Sequence, residues 1–243
     1  VDGKKYLDFT TGIGAVSTGH CHPHVVSAVK KQAEEYSHAS QQIFASHPAQ
    51  IDLTQKMLSI LPKTLTNIFY TNDGSGATDN AIKVSRRFTN KTNIISVMGG
   101  FHGRSIGALS LNSSGLGSKL KSQPLMSGAF TCYPTIESLY DTLSLQTSPV
   151  ETAAIILEPI QGEYGIFELD PIFVREVRDL CTEHNMIMIA DEIQCGMGRT
   201  GKWWASERNN IIPDILNFGK GLGSGHQIAG MVSRDEIMDS GRN

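Results

Sequence analysis

Two side chains separated by 29 positions, Asp191 and Lys220, carry the chemistry that is easiest to read from this chain. Met186-Ile187-Met188-Ile189-Ala190 is apolar and long enough for one buried strand of a parallel sheet, and it delivers Asp191 and Glu192 to its carboxyl end. A second strand-like run, Ile215-Leu216-Asn217-Phe218, delivers Gly219-Lys220-Gly221 to the same edge. Open α/β sheets bind ligands at that edge. A lysine amine there can form a Schiff base with an aldehyde, and a carboxylate can hold a protonated ring nitrogen so that the ring acts as an electron sink. These are the two protein groups that a pyridoxal phosphate (PLP) site needs. The same pair also reads as a salt bridge or a solvated turn, because strand-end loops carry many functions.

Other stretches add candidate groups. Asn67-Ile68-Phe69-Tyr70-Thr71 predicts a strand, followed by the turn Asn72-Asp73-Gly74-Ser75-Gly76 and a helix through Ala81, Ile82, Val84 and Phe88. Strand, glycine turn and helix start together make an anion seat, since free N–H groups and the helix dipole favour a phosphate; a plain connector looks the same. The run Thr92–Met98 predicts a strand ending at Phe101-His102-Gly103-Arg104, where Phe101 offers a flat face for stacking and Arg104 a fork for a carboxylate. Thr152–Leu157 predicts a buried strand before Glu158 and Glu163, two carboxylates whose spacing alone does not join them in one acid–base pair. His20-Cys21-His22-Pro23-His24 is too crowded for a tetrahedral metal site and reads as a turn before a helix.

The elements that must position these groups alternate between strands and helices. Amphipathic helices are expected over Val25–Tyr36, from Pro48 through Leu61, and over Asp170–Glu183, with Ile136–Leu143 a short helix. Ala129–Tyr133 and Ile228–Val232 read as strands, and a helix starts at Asp235. Thr10–Gly19 is glycine-rich without matching a nucleotide-binding motif, Ser113–Gln123 reads as a mobile surface loop, and Trp203 and Trp204 read as packing. The 243 residues suffice for one large α/β domain. A net charge of −3 gives no reason to expect a nucleic acid, and no window approaches the roughly 18 apolar residues of a membrane span. Four scattered cysteines without a C-x-x-C pair fit a reducing compartment and no metal site.

The wording D-E-I-x-x-G-x-G-R-T-G from Asp191, then P-D-I and K-G-L-G-x-G around Lys220, resembles the class III (ω-amino acid) aminotransferases, and the resemblance runs in order from Val1 to Asn243. It implies a mostly parallel sheet between helices, the large domain of PLP-dependent fold type I, with PLP on Lys220 and Asp191 at the ring nitrogen. It implies that Gly74 and Ser75 hold the phosphate, that Phe101 and His102 belong to the cofactor site, and that Ile193 packs on the ring face opposite Phe101. Glu158 would steady Gln194 near the cofactor hydroxyl. Ile13 and Arg104 would contact substrate, Arg104 through its carboxylate, and Glu163 would pair with an arginine of a C-terminal domain. Two departures stand out: Asp73 replaces a small hydroxyl residue, and Gly76 replaces a glutamate.

Val1–Phe9 resembles a strand pair, and the abrupt ends suggest most of a large domain, with residues 1–50 an N-terminal region, 51–243 the cofactor-binding core and the small domain absent. Such a chain would be nearly inactive alone. The implied reaction is transamination between a 4-aminobutyrate-like donor and 2-oxoglutarate in a homodimer, in the cytoplasm or the mitochondrial matrix. Acetylornithine or ornithine aminotransferase, a PLP aminomutase or decarboxylase of the same fold, and a nucleotide-binding or scaffold protein remain as alternatives.

Overall fold

The computed structural model describes residues 2–38, 46–114 and 116–241. Among the described residues nine strands occur in chain order: β1 Asn67–Thr71, β2 Asn93–Val97, β3 Ala129–Cys132, β4 Thr152–Leu157, β5 Ile160–Gln161, β6 Phe167–Glu168, β7 Ile187–Asp191, β8 Ile215–Phe218 and β9 Ala229–Ser233. Seven form one sheet in the order β1-β9-β8-β7-β4-β2-β3, and β5 with β6 makes a small hairpin. β9 runs antiparallel to β1 and β8, while every other pair in the large sheet is parallel. The expected mostly parallel sheet is therefore present, and β7 and β8 are direct neighbours.

Successive side chains of a strand point to opposite faces, so each central strand feeds two cores. Ile95, Val97, Ile155, Leu157 and Met188 meet Phe173, Val174, Val177 and Leu180 of the helix Pro171–Glu183. Ile94, Ala154, Ile156, Ile187 and Ile189 meet Ala81, Ile82 and Val84 of the helix Gly74–Thr89. All six residues of β4 are buried, which is why its sequence reads as an unbroken apolar run. Each such Ile or Leu contributes on the order of 1.5–3 kcal/mol. A third cluster joins Met57 and Leu61, in and after the helix Pro48–Ile60, to Trp204, Leu216, Phe218 and Val232. Trp204 is fully buried and its indole N–H donates to the Ile60 carbonyl, whereas Trp203 is half exposed.

Local chemistry fixes the helix ends. Asp170 accepts from the Ile172 N–H ahead of Pro171, and His22 accepts from the His24 N–H ahead of the helix Pro23–Glu35. The histidine cluster is thus absorbed by a turn: His20 pairs with Asp8 and His22 caps a helix.

Three expectations need correction. Residues 2–9 form no strand; Asp2 accepts the Lys4 N–H in a tight turn and Gly3 takes φ 72, so the segment leaves the extended conformation. Within Ser113–Gln123 a short helix, Leu116–Lys121, forms, with Lys119 Nζ donating to the Asn112 carbonyl. The helix expected over Ile136–Leu143 is α-helical over Ile136–Asp141 and then widens into a π-turn over Thr142–Gln146.

The glycine-rich Thr10–Gly19 stretch holds a left-handed turn. Thr11, Gly12, Ile13 and Gly14 take φ of 47°, 65°, 60° and 76°. Left-handed winding costs roughly 1–2 kcal/mol for each residue with a Cβ, so Thr11 and Ile13 must be held there by their surroundings.

Candidate active site

The carboxyl ends of β1, β2, β4, β7 and β8 converge on a cavity of about 260 Å³. Asp73, Gly74 and Ser75 line it after β1, Phe101, His102 and Gly103 after β2, and Glu158 and Glu163 after β4. β7 contributes Asp191, Ile193 and Gln194, and β8 contributes Lys220. The register Asp191↔Asn217 explains why the two lead residues reach one cavity, since β7 ends at Asp191 and β8 ends two residues before Lys220.

Asp191 is 2% exposed. Its Oδ2 lies 2.7 Å from His102 Nδ1, and its Oδ1 accepts the Ile193 N–H at 3.2 Å. His102 is itself buried, its N–H donates to Asn112 Oδ1, and its carbonyl accepts from Thr78 Oγ1. Lys220 opens a short 3-10 turn, Lys220–Leu222, at φ 39°, a strained conformation for a side chain of that size. Burial lowers its pKa below the usual 10.5; Glu163, Glu158 and Asp191 pull the other way, and Arg199 adds to the lowering.

Glu158 hydrogen-bonds to backbone N–H groups rather than to Gln194. Its Oε1 accepts the Phe101 N–H at 2.8 Å and its Oε2 the Gly162 N–H at 3.1 Å, so it fixes the backbone under the aromatic residue. Gln194 is reached through Gly162, whose missing side chain leaves the space that the Gln194 amide fills. Burial pushes the Glu158 carboxyl up to about 7. Glu192, fully buried beside Asp191, accepts the N–H groups of Ala205 and Ser206 at 2.6 and 2.7 Å. Those bonds anchor the far end of the loop that starts with Ile193 and Gln194.

At the proposed anion seat, Asp73 caps the helix Gly74–Thr89 by accepting the Gly76 N–H at 2.9 Å. The first N–H groups of an α-helix have no intrahelical acceptor, which leaves those of Gly74 and Ser75 for a ligand. Gly74 lies close under Ile193: a Cβ there would come 2.7 Å from Ile193 Cδ1, so that side chain would have to shift. Ser75 Oγ accepts the Arg104 N–H, and the Arg104 Cζ lies 5.8 Å from the Phe101 ring centroid. Arg104 itself is exposed and stands outside the cavity lining, as does Ile13, which is 59% exposed.

Sequence reasoning missed Asn72, His226, Gln227 and Ile228, which line the same cavity. The pairing Thr71↔Ala229 sets residues before β9 beside residues after β1, and only the sheet order could have revealed it.

These groups fit pyridoxal phosphate. A buried carboxylate suits a protonated ring nitrogen, the half-buried amine suits an aldehyde, and the helix start suits a phosphate. His102 Nε2, buried in the wall, has no hydrogen-bond partner among the described residues. A mostly parallel sheet with one antiparallel strand, and a lysine and an aspartate brought to one cavity by adjacent strands, is the large-domain architecture of fold type I transferases.

Residues 1–242 match the family model for aminotransferase class III, and the chain belongs to that family. It is 41% identical to an acetylornithine aminotransferase of Methanocaldococcus jannaschii over 98% of this chain and 59% of that protein. It is 35% identical to the 4-aminobutyrate aminotransferase of Escherichia coli over 99% of this chain and 59% of that protein. The chain thus spans about three-fifths of the length of these curated relatives. Among solved structures, the ornithine aminotransferase from Toxoplasma gondii, described with partial occupancy of PLP, superposes with a TM-score of 0.87 at 28% identity, covering 99% of this chain and 57% of that one. Among the described residues, no helix is long and apolar enough to cross a membrane.

Proposed function

We propose that the protein containing this chain transfers the amino group of an ω-amino acid of the 4-aminobutyrate type to 2-oxoglutarate, with PLP held on Lys220. The observation that carries this reading is the approach of Asp191 and Lys220 to one cavity from adjacent parallel strands. Bound there, PLP would supply an electron sink for the carbon that bears the amine.

The chain's own residues supply the rest. Asp191, oriented by His102, would hold the ring nitrogen. Gly74 and Ser75 offer N–H groups to the phosphate end, with Arg104 tied to Ser75 through its backbone. Phe101 and Ile193 line the space between them. Lys220 Nζ, its pKa lowered by burial, spends more time as the free amine and so can accept a proton and return it. Glu163 stands at the cavity with its carboxylate exposed, available to a cation of a further segment or of a partner.

The donor is the open choice, since relatives with this degree of identity act on acetylornithine as well as 4-aminobutyrate by their names. The guanidinium of Arg104 beside the Phe101 ring favours a donor with a carboxylate remote from its amine. We further propose that residues 1–50 and 51–243 are the N-terminal region and cofactor core of a large domain. In this proposal the complete protein is a homodimer, and this chain alone turns over little substrate. The bare aromatic and aliphatic surfaces of Tyr6, Leu7 and Phe9 support a covering partner.

The test is to add PLP, reduce with borohydride and locate the label by mass spectrometry. Labelling of Lys220 with 2-oxoglutarate-dependent turnover of 4-aminobutyrate supports the reading. Label without 2-oxo acid dependence indicates a mutase or decarboxylase, and no label in the complete protein indicates a scaffold.

A further inference from the structure

The loop that follows Lys220 turns back on itself. After the 3-10 turn Lys220–Leu222, Ser224 and Gly225 take φ of 44° and 100°, and the His226 N–H donates to the Gly223 carbonyl at 3.0 Å. A Cβ at Gly223 would collide with the His226 carbonyl, so the reversal is as tight as glycine allows. It returns the chain to the cavity that Lys220 lines, and His226 stands in that lining. The imidazole makes no hydrogen bond or ion pair among the described residues. Because Thr71 pairs with Ala229, Asn72-Asp73-Gly74 leave β1 beside His226-Gln227-Ile228, which lead into β9. This is the end of the cavity where the N–H groups of Gly74 and Ser75 lack intrahelical acceptors.

A phosphate carries a charge of about −1.5 to −2 near neutrality. The cavity has little positive charge with which to meet it. Asp73, Glu158, Glu163 and Asp191 all line it with carboxyl groups. Lys220, the amine of the lining, is the group that would take the aldehyde, His102 is turned onto Asp191, and Arg104 stands outside. Asp73 sharpens the deficit at the phosphate end. One of its oxygens caps the helix through the Gly76 N–H, and the other has no partner among the described residues. His226 is the remaining side chain of the lining that can carry a proton as a cation and donate from either ring nitrogen.

We propose that His226 is a phosphate ligand of the cofactor site, its imidazole donating to the phosphate of PLP and offsetting the Asp73 carboxylate on the neighbouring segment. The inference rests on the reading of this cavity as a PLP site. It gives the loop after Lys220 two tasks: Lys220 serves the aldehyde at one end of the cofactor and His226 serves the phosphate at the other.

The experiment titrates PLP and pyridoxal, which lacks the phosphate, into the complete cofactor-free protein and follows the absorbance of each ligand. Wild type is compared with His226→Ala and His226→Arg. In His226→Ala the PLP dissociation constant is expected to rise roughly tenfold, the effect of losing a hydrogen bond to a charged group, while that of pyridoxal stays within about twofold. Inorganic phosphate, competing with PLP, is expected to lose potency to a similar degree. His226→Arg keeps a cationic donor and is expected to retain most of the PLP affinity. A pyridoxal constant that rises in step with that of PLP overturns the assignment, because the histidine then shapes the loop and not the phosphate end. Unchanged PLP affinity in His226→Ala overturns it too, and an arginine variant no tighter than the alanine one overturns the role of charge. Borohydride reduction shows where both ligands attach. Wild-type protein in which neither marks Lys220 overturns the PLP reading and the assignment with it, whereas a marked Lys220 with an unaltered preference for PLP over pyridoxal overturns the assignment alone.

Discussion

His102 Nδ1 and Asp191 Oδ2 lie 2.7 Å apart, and both side chains are almost wholly removed from water. Asp191 has two hydrogen-bond partners there, the imidazole and the Ile193 N–H, and the histidine fixes which way the carboxyl group points. His102 is held in turn by Asn112 and Thr78, so the orientation of Asp191 is set by a chain of bonds that begins at the end of the helix Ile106–Leu111 and on the helix after β1.

Replacing His102 by leucine leaves Asp191 one donor short inside the protein. Loss of a hydrogen bond to a buried charge costs roughly 1.5–3 kcal/mol. Urea unfolding of the cofactor-free chain is expected to show that loss. PLP binding, followed by its absorbance, is expected to weaken by about tenfold or more.

Glu158 gives a pH signature. Burial raises its folded-state value to about 7 from 4.5, so between those values the folded chain binds more protons than the unfolded one. Stability from this group therefore falls as pH rises from 4.5 to 7 and is level above, about 3 kcal/mol in all. Glu158→Gln carries no such dependence and, like the protonated carboxyl, offers one carbonyl acceptor to the N–H groups of Phe101 and Gly162. It is expected to be about as stable as wild type at pH 4.5 and more stable above pH 7, which melting curves across that range will show.

Lys220 shifts the other way. Burial lowers its value below 10.5, so from the lowered value up to 10.5 the unfolded chain binds more protons. Its contribution to stability rises with pH through that window and is level below it. Lys220→Met removes the charge and is expected to be more stable than wild type at neutral pH, with the difference closing as pH approaches 10.5. Denaturant midpoints at several alkaline values are the measurement.

Much of this was legible in the chain because period and type agree. β1, β4 and β8 coincide with apolar runs bounded by glycine, proline or acidic residues; Asp191 closes β7 and Lys220 lies two residues past the end of β8. Ile13 was a less complete reading: the sequence gives an apolar residue between glycines, but its left-handed φ depends on Asp8 and Arg199, which lie elsewhere. The Glu158 contacts were misjudged because its acceptors serve backbone N–H groups, which any sequence supplies. His226 and Gln227 reach the cavity only because β9 inserts antiparallel between β1 and β8, a relation that no local pattern encodes.

Gly162→Ala tests the contact that replaced the expected Glu158–Gln194 link. A Cβ at 162 falls within the Gln194 amide, so the glutamine must leave its place or the hairpin must shift. Overpacking of this kind costs roughly 1–3 kcal/mol. Gln194 lines the cavity, so PLP affinity is expected to fall as well, and Gln194→Ala in the same background is expected to recover stability without recovering affinity. Calorimetry with and without PLP separates the two effects.

Asp73 presents a conflict between helix and ligand. As the cap of Gly74–Thr89 it satisfies the Gly76 N–H, and its negative charge suits the positive end of the helix. The same end is where the phosphate of PLP would sit, and a fixed carboxylate there repels it. Asp73→Ser keeps a capping oxygen and removes the charge, so unfolding free energy is expected to change by only about 0.5 kcal/mol. PLP affinity is expected to rise several-fold at low salt, and the gain should shrink as salt screens the repulsion at this exposed residue. Asp73→Asn, which also caps and is neutral, should do the same. Titration of PLP into the three proteins at two salt concentrations decides it: equal affinities would mean that the Asp73 carboxylate and the phosphate do not feel one another.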